Sequence, residues 1–283
     1  MAFMPELPEV QTVRQGLNKL VKGSKIKSVE VLYPKMINIP AEDFEKKLAG
    51  KEIIQIDRRG KYLLFRLSDD LTLVSHLRME GKYEVQPEET ERPKHTNVVF
   101  HLTDGRELRY KDTRMFGKMA LVKNEDVYKL SGLNKIGPEP TEQDLKFDYM
   151  KEIMHKSHRK IKGFLLDQSK IAGLGNIYCD EVLWLSKINP EQLTNELSDD
   201  EIRRLRANIV KEIAAAIKGH GTTVHSYSNA YGEAGQFQNQ LHAYGRKDEK
   251  CERCGTTMEK IKVAQRGTTF CPKCQKLHGD LSD

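Results

Sequence analysis

The strongest constraint on this sequence is a change of hydrophobic period close to Gly137-Pro138-Glu139-Pro140. Before that point, short β-rich runs recur at 26–32, 53–58, 62–67, 71–76, 82–85, 97–102, 107–110 and 119–122. Arg59-Gly60, Asp69-Asp70 and Asp104-Gly105 punctuate them as turns. Many short strands at this spacing predict an antiparallel sandwich or barrel, not alternating βαβ units. Leu7, Val10, Val13, Leu17 and Leu20 precede them at helical spacing. Beyond the prolines, which block helix and sheet alike, the pattern becomes helical. Its clearest segment opens with the capping box Ser198-Asp199-Asp200-Glu201 and carries Ile202, Leu205, Ile209, Ile213 and Ile217 on one face, with Gly219 as the stop. From 220 to 240 the chain is rich in Gly, Ser, Asn and Gln, with Tyr227, Tyr231 and Phe237 interleaved. Loops of that length are functional or disordered.

The predicted fold class is therefore α+β and multidomain. An antiparallel β-sandwich with an N-terminal helix occupies 1–136, a helical domain 137–245, and a small cysteine-bearing module 246–283. The 283 residues suffice for more than one core. The 47 Lys and Arg against 41 Asp and Glu leave a net charge of +6, which suits a polyanionic partner without requiring one. No apolar run approaches the roughly 20 residues of a membrane span. The opening MAFMPELPEV has no basic flank or apolar core of a secretion signal, so an intracellular chain is expected.

Five cysteines are present, and four lie in the last 33 residues. Cys251-x2-Cys254 and Cys271-x2-Cys274 each offer two thiolates from one tight turn, and the intervening 16 residues suit a β-hairpin that brings the pairs together. The pattern predicts one tetrahedral Zn²⁺ with no open position for water, hence a structural site in a reducing compartment. The alternative is four reduced thiols in a small core. Cys179 reads as a buried small hydrophobe.

Lys260, Lys262, Arg266, Lys273 and Lys276 give that module a basic surface, and Gly267-Thr268-Thr269 lets backbone N–H groups approach a phosphate. A basic run from His155 to Lys162 leads toward Gly173-Leu174-Gly175-Asn176-Ile177-Tyr178, where a glycine turn opens a helix whose N-terminus favours an anion. A solvated basic face is the alternative reading of each feature. Arg114-Met115-Phe116-Gly117 and Met79 sit on turn-like segments, where they serve either as core or as wedges that fill the gap left by an extruded base. Lys61 follows Arg58-Arg59-Gly60 at a strand turn, and Pro5-Glu6-Leu7-Pro8-Glu9-Val10 reads as a helix start. A proline at a true N-terminus carries a free secondary amine, which can form an iminium with a sugar carbon.

Taken in order, Pro5-Glu6-Leu7-Pro8-Glu9-Val10, Lys61, Arg114-x-Phe116-Gly117, Gly173-x-Gly175-Asn176-Ile177-Tyr178, Tyr244-Gly245-Arg246 and the four cysteines resemble bacterial formamidopyrimidine-DNA glycosylase over essentially the whole chain from Met4. Leu7 and the Arg-x-Phe loop separate it from the sister family, endonuclease VIII. The resemblance implies a β-sandwich, a helix–two-turn–helix domain and a zinc-finger hairpin, with double-stranded DNA in the cleft between domains. It implies excision of 8-oxoguanine and formamidopyrimidines, then strand cleavage at the abasic site by β,δ-elimination. By the same resemblance, Pro5 is the nucleophile at C1′, Glu6 the proton donor in ring opening, Lys61 the residue of the first elimination and Arg266 that of the second. His76, His95, Lys156, Lys162 and Asn176 correspond to DNA contacts, while Met79, Arg114 and Phe116 correspond to the trio replacing the flipped base. The segment 220–240 corresponds to the lesion-recognition loop. A monomer in the bacterial cytoplasm, associated with the nucleoid, is expected.

One departure bears on the chemistry. Met1-Ala2-Phe3-Met4 precedes Pro5, and an internal proline is a tertiary amide with no lone pair for attack. The expectation is that the active chain starts at Met4 or loses the preceding residues. A non-catalytic DNA binder and a zinc-ribbon adaptor for protein partners are the competing classes.

Overall fold

The computed structural model describes residues 4–130, 132–222 and 237–278. The chain divides into two compact units, Met1–Lys135 with His220–Gln236, and Ile136–Gly219 with Phe237–Asp283.

The first unit begins with helix α1 (Leu7–Val21), strand β1 (Ile26–Val31) and helix α2 (Ala41–Leu48). Strands β2 (Ile53–Arg59), β3 (Tyr62–Leu67), β4 (Leu71–His76), β5 (Lys82–Pro87), β6 (Thr96–Leu102), β7 (Arg106–Lys111) and β8 (Lys118–Lys123) follow, with a short helix α3 (Val127–Leu130). They form two antiparallel four-stranded sheets, ordered β1-β6-β7-β5 and β2-β3-β4-β8. The expected sandwich is present, and each predicted run matches a strand to within a few residues. Its core joins Phe65, Leu73 and Tyr83 to Val98, Phe100 and Tyr110, with α1 contributing Val10, Val13, Leu17 and Val21. Asn18 anchors α1 to the sheet edge: its Nδ2 donates to the Ile56 carbonyl at 2.6 Å and its Oδ1 accepts the Ile56 N–H at 2.9 Å. That pair satisfies backbone groups which an edge strand otherwise leaves open. Helix α2 was not expected; Phe44 and Leu48 are the two residues it buries, too few to show a period.

The second unit carries helices α4 (Phe147–His155), α5 (Ile161–Leu165), α6 (Asn176–Ser186) and α7 (Asp199–Lys218), then strands β9 (Glu259–Val263) and β10 (Arg266–Phe270). α7 has the expected capping box, with Glu201 N–H donating to Ser198 Oγ at 3.3 Å and Ser198 N–H to Glu201 Oε2 at 2.9 Å. It ends at Gly219, after which His220 and Gly221 take left-handed φ values of 60° and 73°. α6 is buried from Ile177 to Trp184, which is why it shows no amphipathic stripe in sequence. The cysteine hairpin packs on these helices instead of standing apart: Trp184, Ala243, Cys251, Met258 and Cys271 form one cluster. Of the segment 220–240, residues 223–236, including Tyr227 and Tyr231, lie outside the described residues. Phe237 is buried and meets the Tyr178 ring at 6.1 Å between centroids.

Candidate nucleic-acid interface and metal centre

Pro5 is buried immediately before α1, and Glu6, 2% exposed, caps that helix. The Glu6 N–H donates to Glu9 Oε2 at 2.9 Å. The other Glu9 oxygen accepts the Thr222 N–H at 2.8 Å and the Thr222 hydroxyl at 3.1 Å. Gly221 lies against Glu9 so closely that a Cβ there would meet Oε1 at 2.8 Å. One carboxylate therefore fixes both the Pro5–Glu6 corner and the start of the segment 220–240. Sequence reasoning left Glu9 as ordinary capping, because its second partner is more than 200 residues away.

Lys61 closes the two-residue turn between β2 and β3, with Gly60 at a left-handed φ of 54°, and is only 3% exposed. His76 pairs across the sheet with Tyr62, ring edge to ring face at 4.5 Å. Burial first, then the charges of Arg78 and Lys61, push the His76 imidazole down to about 3. It is neutral at any physiological pH, and its Nδ1 accepts the Arg78 N–H at 3.0 Å. The proton therefore sits on Nε2, which leaves that nitrogen as a donor for an anion.

Met79 and the Arg114–Phe116 loop converge on one buried residue. A Cβ at either Gly81 or Gly117 would overlap the Tyr110 hydroxyl, so both turns can approach only as glycine. Asp112, fully buried, holds the second loop: Oδ1 accepts the Arg114 N–H at 3.0 Å and Oδ2 the Gly117 N–H at 2.7 Å. The Asp112 N–H in turn donates to Asn97 Oδ1 at 2.7 Å, and the His95 carbonyl accepts it at 3.1 Å. On this base Phe116 is 49% exposed and the Arg114 guanidinium lies 4.8 Å from its ring. A large apolar ring held out to solvent on such a turn is surface, not core.

In the second unit, Gly175 caps α6 and Asn176 starts it. Asn176 Nδ2 donates to the Gly267 carbonyl at 2.9 Å, which ties the helix N-terminus to the β9–β10 hairpin beside exposed Arg266. The hairpin turn places Ala264 and Gln265 at φ values of 48° and 61°, the left-handed geometry that a two-residue turn between twisted strands requires. Lys156 is exposed and paired with Glu152 at 2.7 Å. Lys162 corrects the expectation of a DNA contact. Its side chain is fully buried, donating to the Asn176 carbonyl at 3.1 Å and paired with Asp180. The second Asp180 oxygen accepts the Thr269 N–H at 3.1 Å. An ammonium withdrawn from solvent in this way ties α5, α6 and β10 together.

The four cysteine sulfurs of Cys251, Cys254, Cys271 and Cys274 lie within 4.8 Å of one another. Cys254 and Cys271 are 3.5 Å apart, close to the roughly 3.8 Å edge of a tetrahedron with 2.3 Å Zn–S bonds. The Cys274 N–H points at the Cys271 sulfur at 3.4 Å, and Gln275 accepts from Cys271 N–H while donating to the Ile188 carbonyl. The donor set fits one zinc ion, which the cysteines would hold as a structural tie.

Three family models match the chain: the formamidopyrimidine-DNA glycosylase N-terminal domain over residues 4–119, its H2TH domain over 136–228, and the zinc finger found in FPG and IleRS over 248–277. A formamidopyrimidine-DNA glycosylase of Lactiplantibacillus plantarum is 61% identical over 274 residues, covering 97% of this chain and all of the relative. The chain belongs to the formamidopyrimidine-DNA glycosylase family. A Lactococcus lactis member, solved in complex with Fapy-dG-containing DNA, superposes with a TM-score of 0.92 at 47% identity, covering 96% of this chain and 100% of that one. Another structure of the Lactococcus lactis protein, with the same TM-score, identity and coverage of this chain, holds DNA containing an abasic site and is covered to 99%. No helix among the described residues is long and apolar enough to cross a membrane.

Within this formamidopyrimidine-DNA glycosylase framework, Glu9, Asp112 and Asp180 are buried carboxylates that hold candidate site residues in place and that sequence reasoning did not single out. An Asp two residues before an Arg and five before a Gly is the signature of a side chain capping its own turn, so Asp112 was findable. Asp180 carried no comparable signal.

Proposed function

We propose that this chain is a bifunctional base-excision-repair enzyme that removes 8-oxoguanine and formamidopyrimidines from duplex DNA and cleaves the abasic strand by β,δ-elimination. The observation that carries the reading is the wedge: exposed Phe116 and Arg114 beside the Met79 turn, both loops set against Tyr110. Inserting them offsets the few kcal/mol lost when a damaged base leaves the stack. Pro5, as a terminal secondary amine, attacks C1′ and displaces the base, while Glu6 protonates the opening sugar and leaves a Schiff base. Lys61 serves the first elimination, and Arg266 the second while gripping phosphate. His76, His95, Lys156 and Asn176 hold the DNA backbone. The zinc module orients Arg266. The same reading places the protein as a monomer in the bacterial cytoplasm at the nucleoid.

Because the family model begins at residue 4, the reading makes a direct demand on the N-terminus. Protein starting at Pro5 is expected to form a borohydride-reducible adduct with an 8-oxoguanine duplex, and Glu6→Gln is expected to block base release. Protein retaining Met1 is expected to bind the same duplex and form little adduct. Full-rate trapping by protein sequenced with Met1 intact would remove Pro5 from the mechanism. Tight binding without trapping by protein starting at Pro5 would instead leave a non-catalytic DNA binder.

A further inference from the structure

Strand β7 carries two alternating sets of side chains. Leu108 and Tyr110 belong to the sandwich core, and Glu107 and Arg109 take the opposite face of the sheet. That face of an antiparallel sheet ordinarily meets water, yet Glu107 is 0% and Arg109 1% exposed. The connection between β5 and β6 folds over them. Arg109 Nη2 donates to the Thr90 carbonyl at 2.7 Å and to that of Pro87 at 3.4 Å. Its Nη1 donates to the Glu91 carbonyl at 3.2 Å and its Nε to Glu107 Oε2 at 2.5 Å. Arg92 closes the arrangement from the side of the connection, with Nη1 on Glu30 Oε2 at 2.6 Å and Nη2 on Glu107 Oε1 at 2.7 Å.

An ion pair taken out of water gains little stability over apolar side chains of the same size, so its contribution here lies in fixing one arrangement. A planar guanidinium spanning three carbonyls fixes direction as well as distance. What is fixed is the approach to the next turn. Pro93, whose ring locks φ, accepts the Thr96 hydroxyl at 2.8 Å. His95 takes a left-handed φ of 66°, which a non-glycine residue keeps only when its surroundings hold it. The His95 carbonyl accepts the Asp112 N–H at 3.1 Å. Between those ties Lys94 and His95 are exposed. Asp112 also holds the N–H groups of Arg114 and Gly117, so the clamped turn and the Arg114–Phe116 loop share one anchor.

We propose that Arg92 and Arg109, joined through Glu107, are positioning residues for a DNA-facing turn, holding the connection 87–92 on the sheet so that Lys94 and His95 meet the phosphate backbone. They act through the turn, without touching DNA themselves. The inference rests on the reading of His95 as a DNA contact and is independent of the excision chemistry.

The test is the affinity of the full chain for a short undamaged duplex, read by fluorescence anisotropy at one fixed salt concentration. Arg92→Lys keeps the charge and loses the fork that reaches Glu30 and Glu107 together, and is expected to weaken binding by about threefold to tenfold. Glu107→Gln adds a test of sign: removing a negative charge alone strengthens attraction to DNA, whereas releasing the two arginines weakens it. Lys94→Ala/His95→Ala is expected to weaken binding by about tenfold. Adding Arg92→Lys to that pair is expected to cost nothing further, because the turn it positions no longer makes contact. A merely structural loss would add in full. Thermal unfolding certifies each variant as folded, and if Glu107→Gln does not fold, the Arg92→Lys cycle decides alone. Full affinity in Arg92→Lys, additive losses in the cycle, or tighter binding by Glu107→Gln overturns the inference while the DNA-facing reading of the turn stands. Full affinity in Lys94→Ala/His95→Ala removes that reading, and the inference with it.

Discussion

Two fully buried aspartates each hold a turn that carries candidate site residues, and they do it differently. Asp112 organises the Arg114–Phe116 loop through backbone N–H groups two and five residues further along the chain. Asp180 organises the Arg266–Gly267 turn by accepting from Lys162 and from Thr269, 18 residues before it and 89 after it. The first device is local and uses dipoles, so the loop carries its own support wherever the strands end. The second joins three elements through an ion pair, so the hairpin depends on the helices beneath it and on the metal. Burial is also felt directly at Asp180, whose carboxyl is pushed up by desolvation against the pull of Lys162. Under the proposed function, a wedge must keep one shape while its tip enters the stack, and a phosphate grip must keep one position relative to a distant helix terminus.

The sharpest way to break the comparison is to remove the metal tie. Structural zinc contributes on the order of 10 kcal/mol to modules of this kind. Cys254→Ser or Cys271→Ser is therefore expected to release zinc, unfold the hairpin and abolish DNA binding together, read by metal content, thermal unfolding and gel shift. Full lesion affinity in a metal-free protein would show that the hairpin needs only its helices.

Next in size is the pair Asp180→Asn and Asp112→Asn. The former leaves the Lys162 ammonium buried without its counter-charge, at a cost of about 3–5 kcal/mol. The latter weakens two hydrogen bonds, about 1–2 kcal/mol. Chemical denaturation should separate them, and Lys162→Met combined with Asp180→Asn should recover much of the loss. Equal costs for the two single variants would erase the distinction between local and long-range support.

Phe116→Ala tests the wedge at its tip and should leave stability unchanged. It is expected to slow base release from a lesion duplex by roughly 10- to 100-fold, equivalent to about 2 kcal/mol of lost stacking, while cleavage at a preformed abasic site changes little. Equal losses on both substrates would mean that the ring acts elsewhere.

The smallest effect concerns a buried carboxyl in the second unit. Glu212, 8% exposed, is raised to about 7 by burial and by the charge of Glu181, against the opposing pull of His242 and Lys211. A folded value above the unfolded one near 4.5 means that its contribution is complete below pH 4.5 and is lost as pH rises through about 7. Glu212→Gln is therefore expected to flatten the decline of melting temperature between pH 5 and 8 by a few degrees. An unchanged slope would place the titration elsewhere. Glu181 accepts the N–H groups of His242, Ala243 and Tyr244, so the same measurement reports on how Glu212 and that buried carboxylate share one pocket of charge.

Features with a short sequence range were legible at the outset. Each strand of the sandwich has its own apolar run and turn, α7 its capping box, and the cysteines their paired spacing. α2 and α6 were harder, one because two buried residues make no period, the other because a helix buried on every side has none. The site divided along the same line. Phe116, Arg114 and the cysteines stood out as types in a motif, whereas Lys162 looked like one more base in a basic run until its burial turned it into an internal counter-ion. Residues at positions 223–236 lie outside the described structure, and the expectation for the recognition loop stays with the sequence there.

By itself, then, the chain's order of residues determined the β-then-helical layout, the metal-binding quartet, the family and the candidate nucleophile at Pro5, because each depends on neighbours within a few tens of residues or on a motif that reads linearly. Only the tertiary structure decided that Glu9 braces both Pro5–Glu6 and Thr222, that Tyr110 sets the Gly81 and Gly117 turns side by side, and that Asp180 couples helix to hairpin. Those assignments rest on contacts between residues far apart in sequence, where the energy of a buried charge or a missing Cβ is set by what folding brings against it.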